Sequence, residues 1–174
     1  MQDLGMRGGE LAIAVEPQIS DDVVVTDHGI DQIEFLVSTN HGMPLKPLNK
    51  TASGGELSRI SLAIQVITSQ KLDTPTLIFD EVDVGVGGRV AQIVGTRLRE
   101  LGNHAQVLCI THQPQVAAQG QQHIYIDKIT DEQETYSTLV KLDADSRTVE
   151  IARMLGGETI TDRTRAHAQD MLAA

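Results

Sequence analysis

The sequence predicts an α/β fold: a mostly parallel sheet flanked by helices, with an antiparallel β element beside it. Three observations carry this expectation. Two short strand-like runs, Thr76 to Phe79 and the wholly apolar Val107 to Ile110, are separated by a stretch of helical periodicity. Continuous apolar strands alternating with helices mark a parallel sheet covered on its faces. Aromatic residues make up only 2% of the chain, with no Trp, against 40% hydrophobic residues, so the core is built from Val, Ile, Leu and Ala. Later, His123 to Ile129 and Thr135 to Leu142 flank the acidic turn Asp131-Glu132, the pattern of an antiparallel pair.

Each element follows from its local pattern. Leu11 to Val15 alternates large apolar residues with alanine, and Ile33, Phe35 and Val37 share one parity, so two strands are expected with one face in the core. Between them runs an acidic, turn-rich stretch with the short apolar run Val23-Val24-Val25. His41-Gly42-Met43-Pro44 and Lys46-Pro47 read as a loop, because two close prolines argue against a helix. Ser53 with Glu56 three residues on is a capping box. Leu57, Ile60, Ala63, Ile64 and Ile67 continue at helical spacing, predicting a helix to about Lys71. A glycine-rich loop through Gly85, Gly87 and Gly88 leads to a second helix carrying Val90, Ile93, Val94, Leu98 and Leu101, ended by Gly102-Asn103. Helices over Val149 to Leu155 and Thr161 to Leu172 close the chain, with Gly156-Gly157 between them.

At 174 residues the chain has room for one domain with a sizeable core. Its net charge of −10 argues against a broad DNA-binding surface on this chain by itself, since such surfaces are basic. The single cysteine, Cys109, lies inside an apolar run and reads as a buried hydrophobe. One cysteine permits no disulfide within the chain, which fits a reducing compartment. No apolar stretch reaches membrane-spanning length, so a soluble, cytoplasmic protein is expected. His28, His41, His104, His123 and His167 show no ligand spacing with one another or with Cys109, so metal ligation by His or Cys is not expected.

Three groups of residues carry chemistry. Asp80 and Glu81 follow a buried strand, where open α/β sheets place their ligands. One acid can hold Mg²⁺ and its neighbour can polarise water toward a phosphate; solvent-facing acids opening a loop fit the same residues. Ser53-Gly54-Gly55 opens a helix, and free amides with little side-chain bulk make an anion site. A plain serine cap explains Ser53 and Glu56, though not two consecutive glycines. Arg59, one turn in, can reach phosphate or pair with Glu56. His112 follows the next strand, where a histidine can hydrogen-bond a γ-phosphate or stand inert in a turn.

The order SGGELSR, TLIFDEVD, CITH resembles the C-terminal half of an ATP-binding cassette (ABC) ATPase of the SMC-like group. PLNKTASGGELSRISLAI, PTLIFDEVDVGVGGRVAQIVG, QVLCITHQPQVAA and EIARMLGGETIT together resemble, more closely, the RecN family of bacterial DNA repair proteins, from about Ile33 to the C-terminus and arguably from Leu11. The resemblance implies a P-loop NTPase fold, here the C-terminal half of an ABC ATPase head over residues 1–174. It implies that Ser53, Gly54, Gly55 and Glu56 belong to the ABC signature, which contacts the γ-phosphate of ATP bound to the opposite subunit. Asp80 would be the Walker B acid on Mg²⁺, Glu81 the general base and His112 the switch histidine. Asp83 matches the SMC-like DEVD pattern, and Gly85 to Gly88 the D-loop; Asp83 and Gly85 are thereby expected on the nucleotide side.

Some positions depart from the wider ABC pattern. Gly87 stands where many ABC proteins have the D-loop Asp, a form RecN-like sequences share. Gln113 replaces the usual Leu after the histidine and reads as a surface change. No GxxxxGK[ST] occurs in these residues, nor does a Q-loop or the family's long coiled coil. The expectation is therefore a fragment with negligible ATPase activity by itself. The resemblance further implies ATP and Mg²⁺ as cofactors and a second head as partner, with ATP sandwiched in a homodimer. A missing N-terminal lobe, DNA contact through the assembly and a nucleoid-associated location are implied as well. The competing expectations are an SMC- or RecF-like chromosome ATPase, against which EIARMLGG speaks, and a non-catalytic module that docks on another ATPase subunit.

Overall fold

The computed structural model describes residues 2–18, 25, 27, 29–51, 53–68, 74–130, 134–157 and 159–173. Strands β1 (Glu10–Pro17), β2 (Asp31–Ser38) and β3 (Lys46–Pro47) form an antiparallel sheet in that order. Its register sets Leu11, Ile13 and Val15 opposite Val37, Phe35 and Ile33, so the two apolar parities share one face. That face enters the core only at its Leu11–Val37 end. Val37 is fully buried, while Ile13, Val15, Ile33 and Phe35 are exposed; the expected burial along both strands is thus corrected. The reason is reach: Leu11 and Leu48 pack on the core beside Val37, and the far end of the pair extends past it. Pro47 sits on the edge strand, where a missing N–H costs no ladder bond.

Helix α1 (Leu48–Thr51) starts directly after that proline, in a stretch read as loop. Helix α2 (Gly54–Thr68) follows as predicted, and residues 69–73, including its expected end, lie outside the described residues. So do Val23 and Val24, His28 and the turn Asp131-Glu132. Strand β4 (Thr76–Phe79), helix α3 (Gly88–Leu101) and strand β5 (Gln106–Cys109) make a βαβ unit with parallel pairing from Thr76↔Gln106 to Phe79↔Cys109.

The sheet content differs from expectation. Among the described residues only β4 and β5 run parallel, and the other strands are antiparallel. Parallel neighbours need a long crossover, and among the described residues α3 is the one helix that joins two hydrogen-bonded strands. Leu77 and Phe79 face the core with Ile60, Leu62, Val94 and Leu98 of α2 and α3. Ile78 and Leu108 lie on the open face and are exposed. The expected two-sided burial of these strands holds on one side.

Beyond β5, α4 (Pro114–Ala117) is a single turn opened by proline. The hairpin β6 (Ile124–Thr130) and β7 (Thr135–Lys141) is antiparallel as predicted. Helix α5 (Ala144–Gly156) begins earlier than apolar spacing suggested, because the Asp143 carboxylate accepts from the Ser146 amide at 2.8 Å and caps it. Helix α6 (Asp162–Ala173) packs on α5 through a second core of Ile151, Ala152 and Ala168, which also takes in Ala117 and Ala118. The Arg147 guanidinium donates to the carbonyls of Ala117 (3.3 Å), Ala118 (3.0 Å) and Gly120. It thereby satisfies the carbonyl end of α4, and α5 fixes the turn that follows the His112 loop.

Candidate functional site

The start of α2 is built as a reciprocal capping box. Glu56 Oε2 accepts from the Ser53 amide and hydroxyl, each at 2.9 Å, and Ser53 Oγ accepts from the Glu56 amide at 3.4 Å. Glu56 is thus engaged with Ser53. The two glycines have a packing reason that capping did not supply. A Cβ on Gly55 would stand 2.9 Å from the Val84 carbonyl oxygen, and one on Gly54 2.8 Å from Glu81 Oε2. Ser58 Oγ donates to the Asp80 carbonyl at 3.0 Å. Arg59 is buried and donates to the Val84 carbonyl at 2.9 Å, so its guanidinium serves this junction and not a phosphate. Burial draws its pKa down, against the upward pull of Glu56. The first turn of α2 is thereby fastened to the loop after β4.

That loop carries the acidic residues. Asp80 and Glu81 are exposed where β4 ends. Glu81 has φ +58°, the one described non-glycine residue with positive φ. Backbone strain of this kind concentrates at functional sites. Gly85 follows with φ +72°, a conformation that suits glycine. Val82 and Asp83 turn inward and are buried.

Strand β5 ends beside β4, with the Ile110 amide bonded to the Phe79 carbonyl at 2.9 Å. The parallel pairing brings Thr111 and His112 next to the acidic loop. Thr111 Oγ1 donates to Asp83 Oδ2, the Gln113 amide reaches the same oxygen at 3.3 Å, and His112 Nδ1 lies 3.8 Å from Asp83 Oδ1. The His112 side chain is 65% exposed and that of Asp83 1%. Gln113 is half-buried, and its Nε2 donates to the Val86 carbonyl at 2.9 Å; the reading of this position as a surface change is corrected. A glutamine beside a turn offers no sequence signal for such a bond, because its acceptor lies 27 residues away. Among the described residues no hydrogen bond joins the Glu81 carboxylate to His112. The structure therefore brings the Glu81 carboxylate close to Gly54 at the start of α2 and ties Asp83 to the His112 loop, on neighbouring strand ends.

No family model matches the chain. Individual relatives do. It is 51% identical over 174 residues to the DNA repair protein RecN of Vibrio cholerae, covering all of this chain and 31% of the relative. It is 49% identical over 173 residues to that of Xylella fastidiosa, covering 99% and 30%. To RecN of Bacillus subtilis it is 48% identical over 150 residues, covering 86% and 26%. The chain thus spans about a third of the length of these relatives. Among solved structures, the Smc head domain with a coiled coil and joint from Pyrococcus yayanosii aligns at TM-score 0.62 and 20% identity, over 86% of this chain and 26% of that one. A chain from a study of ATP-driven dimerisation and DNA-stimulated activation of SMC ATPases aligns at TM-score 0.54 and 19% identity, over 91% and 88%. At such identity these two likenesses speak for the fold, that of an SMC-type ATPase head.

Proposed function

Taking as premise that this chain belongs to the RecN family, whose members it matches over about a third of their length, we propose that it is the signature and Walker B half of an ATPase head acting in recombinational repair of DNA double-strand breaks. The observation that carries this reading is the convergence of the Asp80-Glu81 loop and the His112 loop at adjacent parallel strand ends, with the capped α2 glycines against the first.

The roles follow from chemistry. Mg²⁺ takes one or two protein carboxylates and completes its shell with phosphate and water, and the exposed Asp80 carboxylate fits such a partial donor set. When bound, the ion neutralises phosphate charge. Glu81 accepts the proton of the attacking water, and His112 hydrogen-bonds the γ-phosphate. Ser53, Gly54 and Gly55 meet the γ-phosphate of ATP held by a second head, so the nucleotide is sandwiched in a homodimer. Because Ser58 and Arg59 bind the loop that carries Asp80 and Val84, each head's signature moves with its own acidic loop. The phosphate cradle comes from a Walker A lobe, and DNA contact from the assembled protein. Among the described residues no helix is long and apolar enough to cross a membrane.

The test is Glu81→Gln in a protein that also carries the Walker A lobe. Hydrolysis falls by about 100-fold or more while ATP binding persists and dimers accumulate. Unchanged hydrolysis contradicts the role of Glu81.

A further inference from the structure

Asp83 is a charged side chain in a place where charge is costly. It is 1% exposed, and a buried carboxylate persists only where hydrogen bonds replace its water. Those bonds come from one direction. Thr111 Oγ1 and the Gln113 amide both donate to Oδ2, while Oδ1 faces His112 Nδ1 at 3.8 Å. A second link returns across the same gap, from Gln113 Nε2 to the Val86 carbonyl at 2.9 Å. The residues on either side of His112 are thus tied to the loop after β4, whereas the imidazole itself is largely exposed. Buried and engaged in this way, Asp83 is not available to touch a nucleotide or its metal.

We propose that Asp83 is a positioning residue that holds the His112 loop in register with the Asp80-Glu81 loop and orients the imidazole through its Nδ1 edge. This rests on the reading of His112 as the γ-phosphate contact. A carboxylate facing a histidine at this distance favours one direction of the ring electrostatically, and misplacement of a contacting group by about an ångström costs up to about 100-fold in rate. The two oxygens do separable things. Asparagine at 83 keeps an acceptor for Thr111 and Gln113 but removes the charge facing His112; alanine removes both.

The experiment is a double-mutant cycle on ATP hydrolysis, in a protein combining this chain with its Walker A lobe. Asp83→Ala is expected to lower kcat by about 10- to 100-fold with KM for ATP nearly unchanged. Asp83→Asn should recover part of the loss, and Thr111→Val should fall between them. In a His112→Ala background Asp83→Ala should cost nothing more, because it acts through that ring. A purely structural role would add its loss to that of His112→Ala, and a nucleotide-binding role would raise KM; either result overturns the inference. So does kcat within twofold of the parent. If His112→Ala itself leaves kcat unchanged, the reading of His112 fails first and this inference with it. Should Asp83→Ala not fold, Asp83→Asn and Thr111→Val in the same two backgrounds decide.

Discussion

Burial, and then the negative charges of Asp83 and Asp80, push the Cys109 thiol up to about 12. The thiolate is the nucleophile, so at pH 8 the native chain should react with iodoacetamide roughly a thousandfold more slowly than an unperturbed thiol. Urea should restore ordinary labelling; equal rates with and without urea would show that Cys109 does not pack as described. At this scale, what was legible in the sequence was what acts locally. Ser53 and Glu56 lie three residues apart, and their mutual capping is written in that spacing. The inward turn of Asp83 was not legible, because the donors that permit it, Thr111 and the Gln113 amide, arrive from 28 and 30 residues away. The same distance hid the bond of Gln113 to Val86.

Among the elements, α2 and the loop after β4 behave as one piece. The contact that decides this is Gly55 against the Val84 carbonyl, backbone that cannot swing aside, whereas Gly54 meets only the tip of Glu81. Gly55→Ala should therefore destabilise the nucleotide-free chain by about 1–3 kcal/mol and lower its urea midpoint, while Gly54→Ala should shift it less. Equal, negligible shifts would mean that the glycines serve ligand approach alone. Helix α3 could be read from the sequence because its apolar spacing matches the face it buries, with Val94, Leu98 and Leu101 inside; in α2 the spacing marked the helix but only part of its face, since Ile60 is buried while Leu57 and Ile67 are exposed and Leu62, outside the expected stripe, is fully buried. The start of α5 was missed because Asp143 precedes a polar first turn, which periodicity ignores. Strand pairing was harder to read. The shared parity of β1 and β2 marked a common face, yet not that Ile13, Val15, Ile33 and Phe35 lie beyond the core.

For the whole molecule, the proposed reading distributes the site so that this chain holds the signature, the acidic loop and the histidine loop. The phosphate cradle is proposed to come from elsewhere in a RecN-type protein. The match to about a third of the length of RecN relatives agrees with that division. The motifs made the family legible because their order and spacing are linear properties. The predominance of antiparallel pairing was not, since it depends on which strands a single crossover can join. If this chain is one catalytic half of an ATPase, hydrolysis by complementation will reveal it. The chain alone, and an N-terminal RecN segment bearing the Walker A lobe alone, should each release phosphate at background. Their mixture should hydrolyse ATP, and Glu81→Gln in this chain should abolish that activity. Binding without hydrolysis in the mixture would make the chain a docking module, and Glu81-dependent turnover by the chain alone would contradict the division of the site.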